Sequence, residues 1–170
     1  KFLEVRELAI RTIREYGDEI LTKRCKEIKE ITPRIKELAS DMIETMHEAG
    51  GVGLAAPQVG ILKRMFVIDV TGEDAFVIIN PEIEETDGEQ TGYEGCLSLP
   101  GKSGIVKRAN HVVMKGYDLN MEPIRVEGEE LLARALLHEY DHLNGLMYVE
   151  KVEGELVNNE DLEEEKPEEE

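Results

Sequence analysis

"LLHEYDHLNG", residues 136–145, sets two histidines four positions apart with a glutamate directly after the first. On an α-helix, positions i and i+4 share one face about 6 Å apart, so both imidazoles can reach one ion. The stretch also fixes where the last helix lies. That helix is expected to begin near Gly128 and run to Asn144, where Gly145 suits a C-terminal stop. Upstream the pattern is β-rich. "RMFVIDV" (64–70) and "AFVIIN" (75–80) are apolar and β-branched, with a turn around Gly72-Glu73-Asp74, and "EIEET" (82–86) alternates. "GIVKRANHVVMKGYDL" (104–119) reads as one long or bent strand, to which "EPIRVEG" (122–128) pairs.

Further back, Thr32-Pro33 reads as a helix start, Thr as cap and Pro at the first helical position. Ile35, Leu38, Ala39, Met42, Met46 and Ala49 follow at helical spacing until Gly50-Gly51 stops them. "LAIRTIREYGDEIL" (8–21) is mixed in character, with a turn at Gly17-Asp18. Helix, several antiparallel strands and helix predict an α+β fold, with antiparallel sheets packed around a C-terminal metal-binding helix and a helix at the N-terminal side. Residues 1–150 are expected to form a single catalytic domain. Residues 151–170 turn Glu-rich and low in apolar content, which predicts an acidic, disordered tail.

The chain has 170 residues and a formal net charge of −18. Residues 150–170 hold 11 acidic and 2 basic side chains, half of that excess. Such a charge repels phosphate backbones, which argues against direct nucleic-acid binding. No apolar run approaches bilayer length, so no membrane partner is expected. The two cysteines, Cys25 and Cys96, form no spaced framework. The expected compartment is the cytosol, where thiols stay reduced and can bind metal.

"HEYDH" (138–142) matches H-E-x-x-H, in which Glu139 stands beside the metal and can take a proton from water. The alternative is a pair of helix histidines on a polar face. A catalytic metal wants three protein ligands and one open position. Tyr148 occupies the place of a third histidine in one protease pattern and is no substitute for it. Glu160 and Glu163 lie at another known spacing, but in the acidic tail. His47 reads as a solvated helix residue and His111 as an outward-facing strand residue. Cys96, in "GYEGCLSLPG" (92–101), is the better candidate, because a thiolate with two imidazoles suits a divalent transition metal. Taken alone, Cys96 would be a small buried hydrophobe, which is how Cys25 is read. "GGVGLAAPQVG" (50–60) is either a tight loop after a helix or a ligand-lining segment, with the Gln58 amide reaching a carbonyl.

Three stretches together resemble the peptide deformylase family of bacterial type. "GVGLAAPQ" (51–58) is similar to its G-x-G-x-A-A-x-Q motif, "EGCLS" (94–98) to its E-G-C-L-S motif, and "HEYDHLNG" (138–145) to its H-E-x-x-D-H-L motif, Asp141 included. "YGDEILTKRCKEI" (16–28) is similar to the family's N-terminal segment. The resemblance implies that Cys96, His138 and His142 bind one divalent metal, Fe(II) in the cell, with Zn, Ni or Co accepted. It implies that Glu139 is the acid/base and that the Gln58 amide and the Leu97 backbone N–H stabilise an oxyanion. Gly51, Val52, Gly53, Glu94 and Gly95 would meet the substrate, and Glu94 would also support the site from behind, against Arg108. The implied reaction removes the N-formyl group from formyl-methionyl nascent peptides and releases formate. Two departures are visible: Leu137 stands where many members have Gln, and the chain ends on "VNNEDLEEEKPEEE" where many carry a further helix, basic in some. That acidic end disfavours docking on a ribosome. Two competing readings remain at this stage, an H-E-x-x-H endopeptidase and a scaffold with a structural metal.

Overall fold

A computed structural model describes residues 9–164. The first helix, α1 (Pro33–Glu48), starts as expected: Thr32 is extended, and its side chain accepts from the Ile35 N–H at 3.3 Å. Gly50, at φ +70°, follows its end. Strands β1 (Gly53–Ala55), β2 (Met65–Ile68), β3 (Phe76–Asp87), β6 (His111–Tyr117) and β7 (Pro123–Glu129) form one antiparallel sheet in the order β1-β2-β3-β6-β7. Strands β4 (Gln90–Cys96), β5 (Leu99–Arg108) and β8 (Val152–Asn158) form a second, in the order β4-β5-β8. Helix α2 (Glu130–Leu143) carries the H-E-x-x-H stretch, and a short helix α3 (Asn159–Glu164) follows β8.

The five-stranded sheet is covered on both faces. In β2, Phe66 and Ile68 pack with Leu136, Leu137 and Leu143 of α2, while Met65 and Val67 pack with Leu38, Met42 and Met46 of α1. Strict alternation therefore serves two cores, which is why β2 reads as a continuous apolar run and not as apolar-polar alternation. The α+β architecture agrees with expectation, with α2 set into the curved sheet.

Three elements differ from the sequence reading. Segments 75–80 and 82–86 are one strand, bent at Asn80-Pro81; its first half pairs with β2 and its second with β6, across two register shifts. Segment 104–119 is not one strand. It breaks after Arg108, and its halves, β5 and β6, belong to different sheets. Residues 151–164 are not a disordered tail: β8 pairs with β5 from Lys102↔Asn158 to Val106↔Val152, and Gly104 lies so close beneath Val152 that a Cβ there would approach its methyls to 2.6–2.7 Å. Backbone pairing and the packing of Val152 compensate for the low apolar content of this stretch. The expectation for residues 165–170 lies outside the described residues.

The end of α2 turns on Gly145, at φ +77°, with a Cβ position that would collide with the Thr22 carbonyl. Gly145→Ala is expected to cost about 2–5 kcal/mol, from left-handed strain and forced backbone movement together. At about 2–4 °C per kcal/mol for a chain of this size, thermal unfolding should show Tm lowered by at least about 4 °C.

Candidate metal centre and active site

Helix α2 presents His138 and His142 one turn apart, their ring centroids 5.0 Å from each other. Strand β4 ends at Cys96 after a register shift between Glu94 and Cys96, a bulge that re-aims the strand end. Cys96 Sγ lies 3.4 Å from His142 Nε2. One ligand atom from each of Cys96, His138 and His142 falls within 4.8 Å of the others, the only such cluster found among the described residues. Bonds of about 2.3 Å to sulfur and 2.0–2.1 Å to nitrogen place tetrahedral ligand atoms about 3.5 Å apart, so the donor set fits one small transition-metal ion.

His138 Nδ1 meets Glu94 Oε2 at 3.1 Å, which leaves Nε2 for the cluster. Glu94 is itself held by Arg108 through two bonds, Nε to Oε1 at 3.1 Å and Nη2 to Oε2 at 2.7 Å. The expected Glu94–Arg108 pair is therefore present. Burial opposes ionisation of Glu94, but the hydrogen bonds from His138 and Arg108 outweigh it and bring the carboxyl down to about 2. Glu139 is also buried, and burial pushes its carboxyl up to about 7 against the pull of His138. Its Oε1 has no hydrogen-bond partner among the described groups. A buried carboxylate with a spare oxygen beside three converging donor atoms can take up or release a proton.

Gln58 sits in a short 3₁₀ turn (Ala56–Val59) behind β1. Its Oε1 accepts from the Ala55 N–H at 2.9 Å, which fixes the amide orientation. Its Nε2 donates to Ser98 Oγ at 3.0 Å and faces Cys96 Sγ at 3.5 Å. A cavity of about 530 Å³ opens here, lined by Gly51, Val52, Gly53, Gln58, Glu94, Gly95, Cys96, Leu97, His138 and Glu139. Every predicted site residue except His142 thus faces it, and His142 adjoins it through Cys96. Two glycines are required by close approach. A Cβ at Gly53 would run into the Glu139 carboxylate, and one at Gly51 would meet Leu97 Cδ1 at 2.6 Å.

The other candidates lie elsewhere. His47 pairs with Asp69 at 2.6 Å, and His111 with Glu127 at 2.7 Å, so the latter is a partnered strand residue. Glu160 and Glu163 are exposed on α3. Tyr148 is buried with its ring 5.9 Å from that of His138; its O–H lacks a partner, and burial pushes the phenol up to about 12. Cys25 is buried, as read, and burial raises its thiol to about 11. Ser98 and Arg134 were not singled out from the sequence. Ser98 stood inside the quoted "EGCLS", while Arg134 lies one helical turn before His138 and could have been found by that i, i+4 relation.

Two imidazoles and a thiol beside a buried carboxylate, at the base of a cavity next to a sheet edge, define a metal-dependent hydrolase. The comparisons name the family. Residues 10–157 match the family model described as polypeptide deformylase. A peptide deformylase from Lachnoclostridium phytofermentans is 62% identical over 151 residues, 88% of this chain and 93% of that protein. The structure of a peptide deformylase from Legionella pneumophila superposes with a TM-score of 0.83 at 43% identity, over 85% of this chain and 86% of that one. One from Thermotoga maritima gives 0.82 at 39% identity, over 85% and 99%. The chain belongs to the polypeptide deformylase family.

Gly53→Ala should push the Glu139 carboxylate aside while leaving Cys96, His138 and His142 in place. A misplacement on the order of 1 Å at a reacting group costs about 10²-fold. Steady-state kinetics should show kcat/KM lowered by that order at unchanged metal content; parental activity would mean that the contact yields freely.

Proposed function

We propose that Cys96 Sγ and one nitrogen each of His138 and His142 hold a single divalent ion in an enzyme that hydrolyses N-formyl-methionyl nascent peptides. Glu139 acts as its acid/base. The observation that carries this is the convergence of those three donors beside Glu139, whose Oε1 has no partner. When bound, the ion supplies Lewis acidity, polarising a carbonyl oxygen and acidifying water. Fe(II) is the proposed ion in the cell, and Zn, Ni or Co are proposed in purified protein; a thiolate with two imidazoles suits all four.

The chain's own groups account for the rest. Strand β1 is terminal in its sheet, and with Gly51, Val52 and Gly53 it offers a free edge to which a peptide adds as a further strand. Glu94 and Gly95 face it from β4 across the cavity. Leu131 and Ala135 offer apolar wall to the methionine side chain. The tight approaches of Gly53 to Glu139 and of Gly51 to Leu97 leave little room at the reacting end, which suits a formyl group and disfavours larger acyl groups.

Glu139 takes a proton from the attacking water as the new C–O bond forms. The negative charge that develops on the formyl oxygen is met by Gln58 Nε2–H and the Leu97 backbone N–H. The C–N bond then breaks, Glu139 passes its proton to the leaving nitrogen, and formate and a free amine result. The compartment proposed is the cytoplasm, and no described helix is long and apolar enough to cross a membrane. The acidic excess of residues 150–170 repels ribosomal RNA, so we assign this segment no part in ribosome docking and expect no direct nucleic-acid binding.

The test compares formyl-Met-Ala-Ser with acetyl-Met-Ala-Ser on anaerobic, iron-loaded protein. Release of formate from the first and no turnover of the second is expected; equal turnover of both, or none of either, rejects the reading. Glu139→Gln should keep the metal and lower kcat by about 10²–10⁴, the usual worth of general acid–base catalysis.

A further inference from the structure

Arg134 lines the cavity, and the roles above leave it without a task. It is 7% exposed. Its Nη1 donates to Glu94 Oε1 at 3.2 Å and its Nη2 to the Val106 carbonyl at 3.1 Å. It precedes His138 by four residues on α2, so both side chains leave the same stripe of the helix. Both also end on the same carboxylate, Arg134 on Oε1 and His138 Nδ1 on Oε2. Arg108 grips Glu94 from the strand side, through Nε and Nη2. The carboxylate is thereby held from two directions, by a strand cation and a helix cation.

We infer that Arg134 is a positioning residue. It locks Glu94 against α2, and through Glu94 it fixes the tautomer and the aim of the His138 ring. Arg108 also reaches α2, through Nη1 to Asp141 Oδ2 at 2.6 Å, but that bond gives Glu94 itself no charged donor from the helix. Arg134 ties it to the helix that carries the two histidines. Its second bond, to the Val106 carbonyl of β5, stops the guanidinium from swinging into the cavity. The stem remains as wall while the charge stays matched, so the cavity keeps an apolar lining beside the ion site. This rests on the assignment of Cys96, His138 and His142 as ligands.

The experiment loads the parent, Arg134→Met and Arg134→Lys with cobalt under anaerobic conditions. It follows loss of metal to a chelator, the cobalt absorption spectrum and the thermal midpoint of the metal-free proteins. Partners behind a ligand typically contribute 10–100-fold in metal affinity or activity. Arg134→Met keeps the wall and removes the donors, so it should lose cobalt about 10–100-fold faster, with a shifted spectrum. On formyl-Met-Ala-Ser its kcat should fall while KM changes little. Arg134→Lys keeps one charged donor and should regain part of that retention. Parental retention and spectrum in Arg134→Met overturn the inference and leave Arg134 as wall alone. Equal losses in Met and Lys variants, or losses that track a lowered metal-free midpoint, overturn it as well. Cys96→Ala serves as control: if the parent holds cobalt no better than that variant, the ligand assignment fails first.

Discussion

The structure turns on one buried carboxylate. Glu94 lies out of solvent and takes two bonds from Arg108, one from Arg134 and one contact from His138 Nδ1. Arg108 extends the network to Asp141 of α2 at 2.6 Å, and Lys151 reaches the same Asp141 oxygen at 2.9 Å. Strand β4, strand β5, helix α2 and the turn before β8 are thereby joined at a single point. Charges removed from water are costly, and removing one partner of such a group leaves the others uncompensated, at about 3–5 kcal/mol. The network is therefore weak evidence for net stability and strong evidence for geometry. Few relative placements of the two sheets and the helix satisfy every member, and the placement that does brings Cys96 to the two imidazoles.

The second constraint is closeness. Helix α2 approaches the β1 edge until Glu139 occupies the space a Cβ on Gly53 would take, and Leu97 fills the same space at Gly51. Glycine at these two positions is a steric requirement; neither has positive φ. The cavity is therefore closely walled beside Glu139 and Leu97, and Leu131 and Ala135 also line it. The selection of a small acyl group proposed above rests on this arrangement of backbone and helix.

Much of this was legible from short motifs, because they encode local geometry. The i, i+4 histidines and the capped start of α1 each carry their structural reason within a few residues. What was not legible depends on distant partners. No Gly or Pro marks the break between β5 and β6. It falls at Ala109-Asn110, where the Asn110 carbonyl accepts from the Glu130 N–H at the start of α2. The strand β8 was hidden by its glutamates, since only the free edge of β5 makes a strand of "VEGELVN". Ser98 acquires meaning only when Gln58 is brought beside it by the fold, whereas the spacing of Arg134 from His138 was visible but its partner Glu94 was not.

Helix α2 shows how one element serves three surroundings. Leu136, Leu137 and Leu143 belong to the core against β2 and β6. Arg134, His138 and His142 form a second stripe at four-residue spacing, given over to the donor cluster and its carboxylate support. Leu131, Ala135 and Glu139 form a third, and all three line the cavity. The second and third stripes lie one residue, about 100° of helix, apart, and Leu136 and Leu137 lie one residue beyond them on either side. A shift of the helix by a single residue would put a leucine at the donor cluster and a histidine in the core. The phase is pinned at both ends. Glu130 begins the helix in a left-handed conformation, φ +53°, with its N–H on Asn110, and Gly145 ends it against the Thr22 carbonyl. Strain at Glu130, worth about 1–2 kcal/mol for a residue with a side chain, is what it costs to start the helix at the one angle that serves all three stripes.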